Sequence, residues 1–363
     1  MVKFLAGVNN GWFAGNYAMD LGRNQFSGSE LWHWPHTDPI TFDFTKPETN
    51  PAPPYLSQQP AIVDQYFQSI QDIDVVRIWL FERIEGIRFD GNRKIIGIDS
   101  NLMTNLDAIL DSANNRGIKV YFCLLDAWAV KNQPPSGLPP ARLANYNSWN
   151  ATVRSIMKDI VDNPHDFVDN VLEPLVNAIA LHPAVYAIDV MNEPEGMVAD
   201  TPLVTNSSMR NYISQCCTVI RPRLRASVGC MRSSSAKSYS NLPTDFCDFH
   251  SYNESGGLGP YRPAAYSNKP CIIGECGYPV NSSNTATRAT KEVQTARDFV
   301  EEALSEGYSG CLVWNQDFTN DSNKASIIQW LKQFSGQNNQ VMPPPPASPF
   351  AAFIDWLIIL FGR

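Results

Sequence analysis

Apolar positions along this chain follow two rhythms. Short continuous runs of apolar, β-branched and aromatic residues occur at 3–9 (KFLAGVN), 75–81 (VVRIWLF), 119–125 (KVYFCLL) and 185–191 (VYAIDVM). Four more follow at 226–231 (ASVGCM), 246–250 (FCDFH), 271–275 (CIIGE) and 310–314 (GCLVW). Between them the apolar residues recur at helical spacing, most clearly at 61–73, 102–116, 166–181, 207–221, 287–306 and 323–334. Gly117 follows Arg116 where a helix should stop before the next strand. Continuous rather than alternating apolar runs suit parallel strands covered on both faces. Eight strand–helix units predict an α/β protein, a (β/α)8 TIM barrel. An open doubly wound sheet is the alternative. It would carry a glycine-rich phosphate turn after its first strand, and AGVNNGWF has no GxGxxG.

Two stretches break the rhythm. Residues 13–60 form an enlarged first βα loop, rich in aromatics and proline, with LWHWP at 31–35 and PAPP at 51–54. A loop of that length in a compact domain usually forms a functional rim or lid. The other is a Pro-tethered apolar C-terminal tail. The expected division is a catalytic barrel over 1–338, a Pro-rich linker over 339–349 containing PPPP, and an apolar tail segment over 350–363. Its apolar stretch contains Asp355 and is too short to span a bilayer. Docking on the barrel, on a partner subunit or on a membrane surface remain open readings, the last weakened by the lack of a basic face.

Composition narrows the function. The 363 residues alone would suggest two or three domains, but one barrel absorbs most of them. With 44% hydrophobic and 18% charged residues, the chain can bury a large core. Net charge −8 and no basic run exclude nucleic acid as the main partner. Eight cysteines without a CxxC pair, and no histidine at zinc-ligand spacing, argue for small buried hydrophobes and no metal site. One or two disulfides are compatible with that count, with no pairing assignable. Met1 runs almost directly into the first strand, so no signal peptide is expected in this numbering. The sequons at Asn150, Asn206, Asn253, Asn281 and Asn320 would matter only in a secreted eukaryotic product.

In a barrel of this kind reactive residues gather at the C-terminal strand ends. The fourth run ends VMNEPEG, which puts Asn192 and Glu193 at the rim, and the seventh ends IIGECGYP, which puts Glu275 at the equivalent point. Retaining glycosidases need two carboxyl groups about 5–5.5 Å apart across the scissile bond. Strand ends tilted toward one axis can supply that spacing.

The motifs RIW (77–79), MNEP (191–194), FHSY (249–252), GECG (274–277) and VWNQ (313–316) come in the order found in clan A glycoside hydrolases. The sequence is most similar to family 5, the family of many β-glucanases and β-mannanases, over most of 4–335. The resemblance implies a retaining β-glycoside hydrolase with Glu193 as acid/base and Glu275 as nucleophile, and no metal or organic cofactor. It also implies that Arg77 and Tyr252 donate to the nucleophile and that His250 sits beside the acid/base. Asn192 would hold the sugar 2-hydroxyl, and Trp314 would floor the subsite beside the cleaved bond. Where many members carry a strand-3 histidine, this chain reads CLLDAW. Trp128 there resembles the mannanase-like branch, whereas Asp126 departs from it and would either bind a sugar hydroxyl or support a neighbour. Trp12, Phe13, Trp32, Trp34 and Trp79 are further rim aromatics, some of which would line subsites.

The implied partner is a neutral β-linked polysaccharide or oligosaccharide of glucan or mannan type. That substrate favours a secreted or cell-surface location, with the compartment otherwise open. An exo-acting β-glucosidase or β-mannosidase stands as one alternative, the 13–60 loop closing one end of the cleft. A non-catalytic carbohydrate-binding barrel is another, opposed by the intact carboxylate pair. A barrel isomerase or aldolase would need a phosphate site or a Schiff-base lysine, and no lysine falls at an expected strand C-terminus.

Overall fold

The computed structural model describes residues 2–11, 13, 21–26, 60–132, 134, 140–253, 257–258, 263, 268–279, 285–314, 322–337 and 341–342. Most of the 13–60 loop, with Trp12, Trp32 and Trp34, lies outside the described residues, as do Asn315, Gln316 and the whole 343–363 tail. Eight parallel strands close into a barrel: β1 (Leu5–Asn10), β2 (Val75–Trp79), β3 (Lys119–Cys123), β4 (Val185–Asn192), β5 (Ala226–Cys230), β6 (Cys247–Tyr252), β7 (Cys271–Gly277) and β8 (Gly310–Val313). Each pairs with its sequence neighbour, and β8 returns to β1 with Leu5 opposite Gly310 and Val8 opposite Val313. All eight apolar runs of the sequence became barrel strands. Their continuous apolarity has the expected cause, since helices cover the outside and side chains fill the lumen.

Outside the barrel lie α1 (Pro60–Ser69), α2 (Ser100–Asn114), α3 (Pro140–Asp162), the segment from His165 to Ile179, α5 (Asn206–Ile220), α6 (Ser233–Tyr239), α7 (Thr285–Ser305) and α8 (Ser322–Gln337). The segment from His165 to Ile179, here α4, is not uniform: a wider π turn over Val168–Leu172 separates two α-helical pieces. Periodicity did not single out α3, whose face is less segregated than that of α2, or the short α6. An antiparallel hairpin of Ile87–Phe89 and Ile95–Ile98 also follows β2.

The lumen is layered. Val75, Tyr121, Ala187, Phe246, Ile272 and Leu312 pack into an apolar plug at the N-terminal end. Above it the inward positions turn polar: Asn9, Arg77, Asp189, Ser227 and Asp248 are all buried. The eight cysteines are free and buried, as suits small hydrophobes, with Cys276 Sγ 3.4 Å from Cys311 Sγ. Asn150 is buried too and accepts from Arg83 at 3.1 Å, so that sequon is closed to a glycan. Phe13 packs edge-on against Tyr66 with centroids 5.2 Å apart, which makes it a core ring and not a rim aromatic. Among the described residues no helix is long and apolar enough to cross a membrane.

Candidate active site

The C-terminal strand ends bring Arg77, Asn192, Glu193, His250, Tyr252 and Glu275 together. One carboxylate oxygen of Glu193 and one of Glu275 lie within 4.8 Å of each other, with a His250 ring nitrogen in the same group. Glu275 is nearly buried on β7. Its Oε1 accepts from Arg77 Nη1 at 2.7 Å and its Oε2 from the Tyr252 hydroxyl at 2.7 Å. Burial pushes the Glu275 carboxyl above its ordinary value, and the neighbouring imidazole, the Arg77 guanidinium and the Tyr252 phenol offset part of that rise. The donors on both oxygens favour the ionised form that a nucleophile requires.

Glu193 faces a different environment. Burial raises its carboxyl to about 6, opposed chiefly by the Trp128 indole N–H, which donates to Oε2. His250 Nδ1 lies 2.6 Å from Glu193 Oε1 and 3.5 Å from Glu275 Oε2. Burial lowers the His250 pKa below its ordinary value, which favours the neutral ring. A neutral ring donates from Nδ1 to the carboxylate or accepts the carboxyl proton there, so the contact serves both states of Glu193. One carboxyl held by a cation and a phenol, and another beside a neutral ring, is the asymmetry that separates a nucleophile from a proton donor.

The Glu193 backbone is strained. Its φ is 45°, unusual for any side-chain-bearing residue and further disfavoured before Pro194. Two hydrogen bonds hold it: Glu193 N–H donates to Gly229 O at 2.6 Å, and Gly196 N–H donates to Glu193 O at 2.8 Å.

Asn192 is fixed on both atoms of its amide. Oδ1 accepts from Arg77 Nη2 at 2.8 Å and Nδ2 donates to Asp126 Oδ1 at 2.8 Å. Asp126 Oδ1 also accepts from the Trp128 backbone N–H at 3.1 Å, capping the short helix Ala127–Val130. Asp126 is buried and bonded to Asn192, which favours the supporting role of the two expected for it. It fixes which way the Asn192 amide points. Trp314 is partly exposed and stacks on Trp79 with centroids 5.3 Å apart, forming an aromatic wall at the mouth.

Sequence reasoning missed the polar layer beneath. Arg77 Nη1 also donates to Asn9 Oδ1 at 3.1 Å, and Nη2 donates to Asp189 Oδ2 at 2.6 Å. Asn9 in turn donates to Gly274 O at 2.9 Å. Tyr121 donates to Asp248 Oδ2 at 2.7 Å and meets Ser227. Burial raises the Asp248 carboxyl well above the ordinary range, with the Asp189 charge adding to it. The available signal was an Asp or Asn inside an otherwise apolar strand, as in VNN, AIDVM and FCDFH. Glycines make room for this layer. A Cβ on Gly274 would sit 2.2 Å from Asp248 Oδ1, and one on Gly229 would sit 2.6 Å from Asp189 Oδ2.

Glu193, His250 and Glu275 form a donor set of the size that could hold a metal ion. Each of the three already has a partner, and the Arg77 cation 2.7 Å from Glu275 opposes a second positive charge. The donor set therefore suits proton transfer better than cation binding.

No protein-family profile matches the chain. Two characterised relatives span nearly all of it. A mannan endo-1,4-β-mannosidase from Mytilus edulis is 25% identical over 384 residues, covering 91% of this chain and 88% of that protein. One from Cryptopygus antarcticus is 23% identical, covering 93% and 87%. Among solved structures, a β-1,4-mannanase from Aplysia kurodai superposes with a TM-score of 0.61 at 16% identity, covering 95% of each chain. The Mytilus edulis β-mannanase structure gives 0.58 at 20% identity, covering 91% of this chain and 92% of that one. These structural likenesses carry the barrel fold. Together with the whole-length relatives, they agree with the resemblance to clan A read from the motifs.

Proposed function

We propose that this chain is a retaining β-glycoside hydrolase of the family 5 kind, acting within β-mannan chains. The carboxylate pair carries the reading: two glutamates at the ends of β4 and β7, with oxygens within 4.8 Å and unlike surroundings. That spacing suits direct attack and leaves little room for an intervening water. Glu275 attacks the anomeric carbon as Glu193 gives its proton to the departing oxygen, forming a glycosyl–enzyme ester. Glu193, now ionised, takes a proton from water, which displaces Glu275 and regenerates both groups. Asn192 faces the 2-hydroxyl, and Trp314, backed by the buried Trp79, stacks on the sugar ring. The chemistry needs no cofactor.

Mannan is favoured over glucan by Trp128 and by the names of the two relatives, and endo action by those same names. The domain reading belongs here as well: a catalytic barrel over 1–338, with the 13–60 loop as its rim and a Pro-rich tether carrying the apolar tail. Removing 343–363 should leave catalysis intact while altering solubility, oligomeric state or surface attachment. The test of function is a product profile on mannan, glucan and xylan, with anomeric configuration followed by NMR. Mid-length manno-oligosaccharides with retained configuration are expected. Net inversion would refute the two-step mechanism, and steady release of one small sugar would favour an exo-enzyme.

A further inference from the structure

We propose that Asp189 is a positioning residue that locks the two carboxylates of the site to each other, given the reading of Glu275 as nucleophile and Glu193 as acid/base. Asp189 lies on β4, fully buried below the mouth, and touches neither carboxylate directly. Its Oδ2 accepts from Arg77 Nη2 at 2.6 Å, while Arg77 Nη1 holds Glu275 Oε1 at 2.7 Å. Its Oδ1 accepts from the Gly229 N–H at 2.8 Å and the Met191 N–H at 3.2 Å. The Gly229 carbonyl accepts from the Glu193 N–H at 2.6 Å. A continuous path thus runs from Glu193 through Gly229, Asp189 and Arg77 to Glu275, and every link is a hydrogen bond.

A buried ion pair is weak evidence for a stability role, because apolar replacements of equal volume often serve as well. What this pair supplies is direction. With Nη2 anchored on Asp189 and Asn192, the planar Arg77 fork can present Nη1 to Glu275 in one orientation. The same carboxylate pins the β5 end that holds Glu193 in its strained φ. Gly229 is the residue that permits the approach, because a Cβ there would sit 2.6 Å from Asp189 Oδ2. Arg77, Tyr121, Cys123, Tyr212, Cys217, Cys230, Asp248 and His250 are the titratable or charged groups that feel Asp189 from the elements packed around it.

The test is Asp189→Asn. The amide fills the same space, but whichever way it turns its NH2 meets a donor, Arg77 or Gly229, so one link breaks. The probe is a dinitrophenyl 2-fluoro-β-mannobioside, whose slow turnover leaves a label on the nucleophile. Mass spectrometry of the wild type should find that label on Glu275, and its appearance elsewhere would overturn the mechanism rather than the role of Asp189. In Asp189→Asn the labelling rate should fall about 100-fold, the loss expected from misplacing reacting groups by about 1 Å. Labelling should still reach one per folded chain, since unfolded molecules never label. With mannan, whose leaving oxygen needs the Glu193 proton, the basic limb of kcat/KM should also move to lower pH, because a negative charge has left the surroundings of Glu193. Gly229→Ala attacks the same link from the other side and should reproduce the slow labelling. Wild-type labelling rates in either folded variant would overturn the proposal. So would an unmoved basic limb with a loss equal to the unfolded fraction.

Discussion

The two ends of the barrel lumen are built from the same strands a few residues apart, yet they handle burial in opposite ways. At the N-terminal end, Val75, Tyr121, Ala187, Phe246, Ile272 and Leu312 gain from leaving water. At the C-terminal end, Asp189, Asp248 and Glu275 are equally enclosed with Arg77, and their burial is a cost offset by pairing. Tyr121 joins the two: its ring belongs to the plug, its hydroxyl donates to Asp248, and the Arg77 guanidinium lies 5.8 Å from its ring centre. The lower half holds the fold. In the upper half the cost of burial reappears as shifted proton affinities in Glu193, His250 and Asp248.

The largest effect should come from Glu275→Ala. Turnover of a dinitrophenyl β-mannobioside should fall by about 10⁵-fold or more, as when other covalent nucleophiles are removed. The melting temperature should hold or rise, because a buried carboxyl has gone. A variant that melts early and keeps activity would break the comparison. Arg77→Met comes next. It strands Asp189 and Glu275 without their cation, and urea unfolding should show a loss of about 3–5 kcal/mol. Leu312→Ala tests the plug and should cost about 3 kcal/mol, with kcat per folded molecule unchanged. Altered catalysis in that variant would show that the two layers are coupled.

The smallest effect concerns protons. Glu193 must carry its proton to the leaving group, so kcat/KM should fall as pH rises through about 6. The Trp128 N–H favours the ionised form. Trp128→Phe should therefore raise the Glu193 pKa and move the basic limb to higher pH, by less than about one unit. A limb that stayed in place would mean that the Trp128 N–H does not help to set this carboxyl.

Much of the fold was legible in the chain. Eight apolar runs gave eight strands because parallel barrel strands are covered on both faces and must be apolar along their length. Helices were less legible. α3 carries a mixed face over a long surface, and α4 hides a π turn that leaves the apolar spacing nearly intact. The positions of Glu193 and Glu275 followed from strand ends, where a barrel exposes side chains to its mouth. Asn9, Asp189 and Asp248 did not, because a lone polar residue in a strand does not reveal which residue it will face. Phe13 was misplaced for a related reason: an aromatic near a rim is equally at home under it.

The sequence by itself determined the layer plan, through apolar periodicity, and the residue types at the mouth, through motifs at strand ends. Only the tertiary structure decided the partnerships. Asp189 meets Arg77 across 112 residues and Arg77 meets Glu275 across 198. Pairings of that span depend on barrel closure and on the absence of a Cβ at Gly229 and Gly274. Periodicity is a local property, written in the spacing of neighbours. Electrostatic partnership is set by distance in space, and only the closed barrel fixes that distance.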